Sequence, residues 1–245
     1  MGKRIRVQRR GRGSPVFRAA THKRIAPIHY PIMSKEELEG ALHGRIVEIL
    51  HEAGRGSPLA SIELENGQTY YSVVPEGVAE GQIMEIGSKA SADIGNVLPL
   101  GSVPEGTLIC NIELSPGDGG KIARSSGAYA TVIAHTPEGT MIKLPSGKTR
   151  YINNLCRATV GVLSASGRTE KPWMKAGNKA HWMQAKGHKY HMTRGVAMVS
   201  ASHPFGSGKR GGRKVTTVGR GAPPGQKVGL IAARSTGRGR KKRRT

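Results

Sequence analysis

Ser202 and His203 are adjacent in the sequence and have side chains that could act as a nucleophile and its base. Such a pair also needs a group, usually a carboxylate, that orients the imidazole, and the neighbouring residues include none. The acidic residues in the middle of the chain fall mostly on predicted strands and turns among polar neighbours, and we interpret them as a solvated face. We therefore predict no catalytic residue, with an enzyme that uses His203 and Ser202 kept as an alternative.

Two further patterns resemble sites for a metal or a nucleotide. His181, His188 and His191 could bind zinc, but Lys and Arg surround them, and neither a cysteine partner nor a compact second pair accompanies them. The triplet 147–149 (Gly-Lys-Thr) resembles the end of a phosphate-binding loop, yet the first glycine of that motif is missing. Residues 117–120 lack the alternating acidic ligands of a calcium loop and predict a flexible turn. We predict no metal site.

Positive charge is the strongest signal in the composition. The 245 residues include 39 Lys and Arg against 16 Asp and Glu, which gives a formal net charge of +23 and a pI near 10.7. Such a charge repels itself unless a polyanion neutralises it, so we predict a nucleic-acid partner. No apolar run approaches the ~20 residues of a membrane-spanning helix, and no secretory signal begins the sequence. These features predict a cytoplasmic protein without a membrane partner.

The charge is divided unevenly along the chain. Residues 1–35 carry 10 basic and 0 acidic side chains, residues 36–150 carry 8 and 15, and residues 151–245 carry 21 and 1. The middle segment can fold by itself, whereas Gly- and Arg-rich basic ends are typical of segments that fold on a partner. Solvated tails that only tether the protein are the alternative. The pattern predicts a folded core between two basic arms.

Planar side chains accumulate among the cations of the C-terminal region, although aromatics make up only 4% of the chain. They are Trp173, His181, Trp182, His188, Tyr190, His191 and Phe205. Planar side chains stack on unpaired bases while cations neutralise phosphates, so this region predicts RNA binding. The two tryptophans could instead cover the end of a barrel.

Between the arms the sequence predicts strands. Short apolar or alternating runs occur at residues 45–51, 59–64, 69–74, 82–86, 107–114, 129–135, 140–144, 149–152 and 158–163. Asn66-Gly67 predicts a tight hairpin turn, and Ser34 with Glu37 predicts a capping box that starts a helix over residues 36–42. Residues 173–186 could form a second helix. Two groups of about five strands predict two small barrels, and Cys110 and Cys156 predict buried thiols.

Several motifs together resemble one family. They are residues 117–120 (GDGG), 124–130 (RSSGAYA), 144–147 (LPSG), 194–198 (RGVAM) and His203-Pro204. Their order and spacing closely resemble the universal second protein of the large ribosomal subunit, and the resemblance covers essentially the whole chain. Phe205 after His203-Pro204 resembles the archaeal and eukaryotic branch.

The resemblance implies a mostly β fold, with an OB-like barrel followed by an SH3-like barrel and extended basic N- and C-terminal arms. We assign residues 1–35 to the N-terminal arm, 36–106 to the OB-like barrel, 107–190 to the SH3-like barrel with a C-terminal helical segment, and 191–245 to the C-terminal tail. It also implies a structural component of the large subunit, with neighbouring ribosomal proteins and the small subunit as partners. No cofactor is implied, and magnesium is expected only as an ion associated with rRNA.

The family is a primary rRNA binder implicated in subunit association, tRNA binding and organisation of the peptidyl-transferase region, where RNA is the catalyst. Ser202 stands where an acidic residue usually precedes the histidine matching His203, and Val199 stands where the family generally has Asn. The resemblance therefore implies that His203 lies near the peptidyl-transferase region without catalysing. A free RNA chaperone built on the same barrels is a further alternative.

The RNA contacts predicted from charge, aromatic content and the resemblance lie mostly in the two ends of the chain. They are Arg4, Arg6, Arg9, Arg10, Arg12, Lys121, Arg124, Trp173, His181, His188, Arg194, His203, Phe205, Lys209, Arg210, Arg213, Lys214, Arg220, Arg238, Arg240, Lys241 and Lys242.

Overall fold

The computed structural model describes residues 2–207 and 216–233. These residues divide into two compact units. Residues Thr21–Trp173 form the first, which we call the β unit, and the described residues of Met1–Ala20 and Met174–Thr245 form the second, which we call the cationic unit.

The β unit contains one helix and a run of strands. The helix is α2 (Lys35–Glu39), which follows α1 (Arg6–Arg10) of the cationic unit in the chain. The strands are β1 (Ala41–Leu50), β2 (Leu59–Leu64), β3 (Thr69–Val73), β4 (Ile83–Gly87), β5 (Val97–Pro99), β6 (Leu108–Cys110), β7 (Ala130–Thr136), β8 (Gly139–Lys143), β9 (Thr149–Ile152) and β10 (Arg157–Val160). The expected strands are therefore present, and β5 is a short one that the sequence analysis missed.

The strands pair into one continuous sheet with the order β3-β2-β1-β4-β5-β10-β6-β7-β8-β9. Neighbouring strands are antiparallel except β4 and β5, which pair in parallel at Ile86 and Val97. The sheet encloses two apolar cores. β5 contributes to both of them, with Val97 in one core and Leu98 in the other. The predicted mostly β class is confirmed, and the two cores are consistent with an OB-like barrel followed by an SH3-like barrel.

Two local predictions hold in detail. Asn66 and Gly67 lie between β2 and β3, where Gly67 has a φ of 76° and the Gln68 N–H donates to Asn66 Oδ1 at 3.0 Å. Cys110 and Cys156 are free and buried, and burial raises the pKa of the Cys110 thiol to about 12. Both thiols are therefore protonated at neutral pH.

The helix that begins after Ser34 is shorter than predicted. Ser34 Oγ accepts the Glu37 N–H at 3.2 Å, as an N-cap does, but α2 ends at Glu39 and β1 begins at Ala41. Gly40 stops the helix, because its backbone takes φ −142° and ψ −145°. Residues 41 and 42 join the sheet instead, where Ala41 pairs with Gly87 of β4.

The interpretation of the middle carboxylates as a solvated face is wrong for three of them. Glu37, Glu52 and Glu113 are at most 3% exposed. Arg157, at the start of β10, donates from Nη1 to Glu37 Oε1 at 3.0 Å and from Nη2 to Glu113 Oε1 at 2.9 Å. Its guanidinium also donates to the Pro31 carbonyl. The hydrogen bonds and charges of both carboxylates outweigh burial and raise the pKa of Arg157.

Glu113 also organises the glycine-rich segment that the sequence analysis interpreted as a flexible turn. Its carboxylate accepts the N–H groups of Gly117 and Gly119, while Asp118 accepts those of Leu114 and Ser115. The segment is thus an ordered loop fixed by two carboxylates.

The cationic unit has little regular structure. It contains α1 (Arg6–Arg10), α3 (Ala176–Ala185) and the short parallel strands β11 (Thr217–Val218) and β12 (Leu230–Ile231). The predicted helix over residues 173–186 is confirmed in its central part. A small apolar core of Phe205, Val218 and Val228 supports this unit.

We predict that Arg157→Met destabilises the protein strongly, because it leaves two buried carboxylates without a counter-charge. The free energy of unfolding should fall by about 3–5 kcal/mol in urea denaturation followed by near-UV circular dichroism. Arg150→Met, on the exposed part of β9, is the matched control and should change it by about 0.5 kcal/mol or less. A loss at Arg157 no larger than that of the control would contradict the assigned role.

Candidate nucleic-acid interface

The cationic unit has an extreme charge for its size. Its described residues include 14 Lys and Arg side chains and 0 Asp or Glu. All 16 acidic residues of the chain fall within the β unit, Thr21–Trp173. The cations of the second unit therefore have no carboxylate of their own unit to pair with, and a polyanion is the counter-charge that suits them.

The N-terminal segment and the residues around His203 enclose a cavity of the cationic unit with a volume of about 630 Å³. The Lys3 N–H donates to the Ala201 carbonyl at 2.6 Å and ties the two segments together. The cationic lining is Lys3, Arg4, Arg6, Arg9 and Arg194. We call this cavity the His203 pocket.

His203 is fixed in the pocket by its own loop. The Phe205 N–H donates to His203 Nδ1 at 3.1 Å, so this nitrogen is the acceptor and Nε2 carries the proton of the neutral ring. The ring lies directly over Gly195, where a Cβ atom would be 2.8 Å from Nε2. Burial and the charge of Arg6 lower the pKa of His203, so the imidazole is neutral at pH 7.

This arrangement does not make a catalytic pair. Ser202 Oγ has no hydrogen bond to His203 among the described residues, and the imidazole nitrogen that could accept a proton is already occupied by a backbone donor. No carboxylate of the cationic unit is available to orient the ring or raise its basicity. His203 can donate a hydrogen bond from Nε2.

A second groove of about 540 Å³ lies in the same unit and combines planar with cationic side chains. Phe17, His188 and Tyr190 line it together with Lys179, whose Nζ is 5.5 Å from the centre of the Tyr190 ring. Its remaining lining includes Arg6 and two methionines. The mixture suits an unpaired nucleotide, because rings contact bases and cations contact phosphates.

The structure brings many of the predicted RNA contacts together. The His203 pocket is lined by Arg4, Arg6, Arg9, Arg194, His203 and Phe205, and the groove by Arg6, Arg10 and His188. The Phe205 side chain is 4% exposed and packs against Val218 and Val228, so in this structure it serves the core of the unit.

Other predicted contacts lie elsewhere or outside the described residues. Arg12, His181 and Arg220 are exposed in the cationic unit, and Trp173 ends the β unit with 38% of its surface exposed. The predictions that fall outside the described residues are Lys209, Arg210, Arg213, Lys214, Arg238, Arg240, Lys241 and Lys242.

Lys121 and Arg124 belong to the β unit and have partners there. The exposed Lys121 forms an ion pair with the largely buried Asp118 at 3.1 Å. Arg124 donates to the carbonyls of Gly120 and Ile28, at 2.6 and 3.1 Å. Burial, and then the nearby charge of Arg55, lower the pKa of the Arg124 guanidinium. Arg124 therefore also fixes the local backbone.

The sequence analysis predicted Arg124 as an RNA contact but missed three further arginines, Arg24, Arg55 and Arg168, that gather with it around the loop between β1 and β2. The Arg24 side chain lies close to Gly54, and the Arg168 side chain lies close to Gly56. The charge of Arg55 is near enough to Arg124 to lower the pKa of the Arg124 guanidinium. Arg168 donates from Nε to Ser126 Oγ at 2.8 Å. These arginines come from distant parts of the sequence, so spacing gave no sign that they would meet. We call Arg24, Arg55, Arg124 and Arg168 the arginine cluster.

Within residues 2–207 and 216–233, no three His, Cys, Asp or Glu side chains come together as metal ligands would. No helix in these ranges is both long and apolar enough to cross a membrane.

Comparison with known proteins gives consistent matches. Residues 93–227 match the model of the family described as Ribosomal Proteins L2, C-terminal domain. The chain is 52% identical to the large ribosomal subunit protein uL2 of Korarchaeum cryptofilum, over 100% of this chain and 99% of that protein. The uL2 proteins of Thermofilum pendens and Methanopyrus kandleri are 51% and 50% identical, over 97% and 98% of this chain and 96% and 99% of their own lengths.

We predict that His203 titrates below pH 6.5 in NMR spectra of the folded protein, because burial and Arg6 disfavour the charged ring. The Arg6→Gln variant should move its midpoint upward. Since the pKa of His203 is lower in the folded than in the unfolded state, its contribution to stability is complete above pH 6.5 and declines as the pH falls below that value. A midpoint above 6.5 would contradict the placement of His203.

Proposed function

The chain belongs to the uL2 family of large ribosomal subunit proteins of the archaeal type, and from that membership we propose that it binds large-subunit rRNA directly. The proteins of this family are structural components and not enzymes. The cationic unit, with its arginine-lined His203 pocket, is the proposed main contact surface. The observation that carries the proposal is the segregation of charge, since 14 described cations share a unit with 0 carboxylates.

The proposal includes a second contact through the arginine cluster of the β unit. Guanidinium groups bind phosphate in a bidentate manner, and several of them held close together suit a bent RNA backbone. Arg168 is positioned by Ser126, and Arg55 by the Ala26 carbonyl at 3.0 Å. Such positioning lowers the entropy lost when a phosphate binds.

We further propose that the protein supports subunit association, tRNA binding and organisation of the peptidyl-transferase region, in contact with neighbouring ribosomal proteins in the cytoplasm. The proposed role of His203 is that of a neutral donor to RNA, because its Nδ1 already accepts the Phe205 N–H. Ser202 and Val199, which replace the acidic residue and Asn usual in the family, are consistent with a role without catalysis.

We predict that affinity for an rRNA fragment falls steeply with salt, because each neutralised phosphate releases condensed counterions. If about 8 phosphates are contacted, log K should fall with log salt with a slope of roughly −6 to −7 in filter-binding assays. A slope near zero would reject the proposal.

We predict that Arg194→Gln weakens rRNA binding and reduces the magnitude of the salt slope by about 1, as expected for one lost phosphate contact. Arg150→Gln removes the same charge from the exposed part of β9 and is the matched control, with no expected change in slope. Equal effects of the two substitutions would show that only net charge matters and would count against the pocket.

Sedimentation distinguishes a ribosomal component from a free RNA chaperone. We predict that the tagged protein sediments in sucrose gradients with large subunits and whole ribosomes, and that it stays with them after a wash in moderate salt. Sedimentation only with free RNA would support the chaperone instead.

A further inference from the structure

The His203 pocket has two kinds of wall. Lys3, Arg4, Arg6, Arg9 and Arg194 bring positive charge to it. The apolar part is formed by side chains of several different segments, namely Ile5, Val196, Met198 and Val228. A site for a bare phosphate needs only the cations. The apolar wall needs a ligand that also has a flat or greasy surface, as a nucleobase has.

His203 adds a donor with a fixed direction. Because Nδ1 accepts the Phe205 N–H, the proton of the neutral ring is on Nε2. No hydrogen-bond partner of Nε2 is found in the part of the chain that the structure describes. If Nδ1 were protonated, its N–H would point at the Phe205 N–H, and the charged ring would lie close to Arg6. The ring is therefore held in one tautomer.

Gly195 permits this position of the ring. A Cβ atom on Gly195 would lie 2.5 Å from His203 Nδ1 and 2.8 Å from Nε2, much closer than carbon and nitrogen atoms approach without a bond. The close packing of backbone and imidazole thus depends on the absence of a side chain. Any larger residue at 195 must displace His203 from the pocket.

The volume agrees with a ligand of intermediate size. The pocket measures about 630 Å³, which falls within the range of roughly 300–1,000 Å³ that is usual for sites of small organic ligands. A single nucleotide fits such a space, whereas a double helix does not. The polar lining also includes the hydroxyl groups of Thr193, Ser202 and Thr216, which can bind sugar or base edges.

We propose that the His203 pocket holds one unpaired nucleotide of the RNA partner. Its phosphate lies among the arginines and its base against the apolar wall, and His203 Nε2–H donates a hydrogen bond to the nucleotide. The proposal rests on the proposed function, because it assigns a nucleotide-sized subsite to the surface that binds rRNA. It gives His203 a recognition role that requires the neutral ring.

The test uses the purified full-length protein at pH 7.5, labelled with ¹⁵N at histidine. In the free protein, His203 should show a protonated Nε2 and an unprotonated Nδ1. Adenosine 5′-monophosphate should shift its signals in a saturable manner, with a dissociation constant on the order of 1 mM or lower. Adenosine alone and inorganic phosphate alone should each bind at least tenfold more weakly, because each fills only half of the pocket.

Two variants and a matched control test the geometry. Gly195→Ala should weaken adenosine monophosphate binding at least tenfold, because the new methyl group displaces the imidazole. Gly219→Ala, at a glycine of the same unit with no heavy atom within 4 Å of an added Cβ, should bind as the wild type does. His203→Asn keeps an acceptor for the Phe205 N–H but loses the Nε2 donor. It should weaken binding about tenfold, as expected for the loss of one hydrogen bond.

Each contrary result has a definite meaning. Failure of millimolar adenosine monophosphate to shift His203, the opposite tautomer, or equal binding of inorganic phosphate would overturn the nucleotide pocket. Wild-type affinity of His203→Asn for adenosine monophosphate would also overturn the nucleotide pocket. This result does not depend on whether Gly195→Ala folds. Filter binding of an rRNA fragment to the same samples separates the two proposals, since steep salt dependence without a nucleotide response would leave the proposed function intact and reject only the pocket.

Discussion

A buried guanidinium, Arg157, joins the parts of the β unit. Its strand β10 pairs with β5 on one side and β6 on the other, where the strands of the two cores meet. Its ion pairs reach Glu37 in α2 and Glu113 beyond β6, and its guanidinium carbon lies 5.1 Å from the centre of the Tyr30 ring. Taking these charges out of water costs several kcal/mol per ion, which the paired geometry offsets only while every partner is present. Loss of any one partner therefore leaves a buried charge without compensation.

The same division of charge explains why the two units differ in character. The β unit pairs Glu37 and Glu113 internally with Arg157, and it buries enough apolar surface to form two cores. Among its described residues, the cationic unit has one small core of three buried apolar side chains, Phe205, Val218 and Val228, with Ile5, Val196 and Ala222 beside them. Its positive charges repel one another in solution and are compensated when phosphates lie among them. The two large cores and the proposed main binding surface thus lie in different parts of the sequence.

Much of the fold could be predicted from local pattern. Alternation and turn residues located most strands of the β unit, and Asn66-Gly67 identified a hairpin because few other dipeptides adopt its backbone angles. The pattern failed where distant residues decide the outcome. Glu37 matched a capping box, yet its side chain pairs with Arg157, 120 positions away in the sequence. β5 was missed because it is only three residues long and ends at Pro99, a residue that argues against a strand inside a sheet.

The candidate site shows the same limit. Charge counts predicted RNA binding at the two ends of the chain, and Arg6 and Arg9 of α1 line the His203 pocket together with Arg194. Nothing in the sequence showed that Arg24, Arg55 and Arg168 would gather around one loop, or that Phe205 would be buried. The tautomer of His203 depends on one backbone N–H and could be known only from the structure.

The most direct test of the central claim, that the cationic unit is the main RNA-binding surface, is to map ultraviolet protein–RNA cross-links on large subunits that contain this protein by mass spectrometry. The account predicts that most cross-linked peptides come from residues 2–20 and 174–207, with a smaller group at the arginine cluster. Cross-links confined to the β unit, or none in the cationic unit, would contradict it.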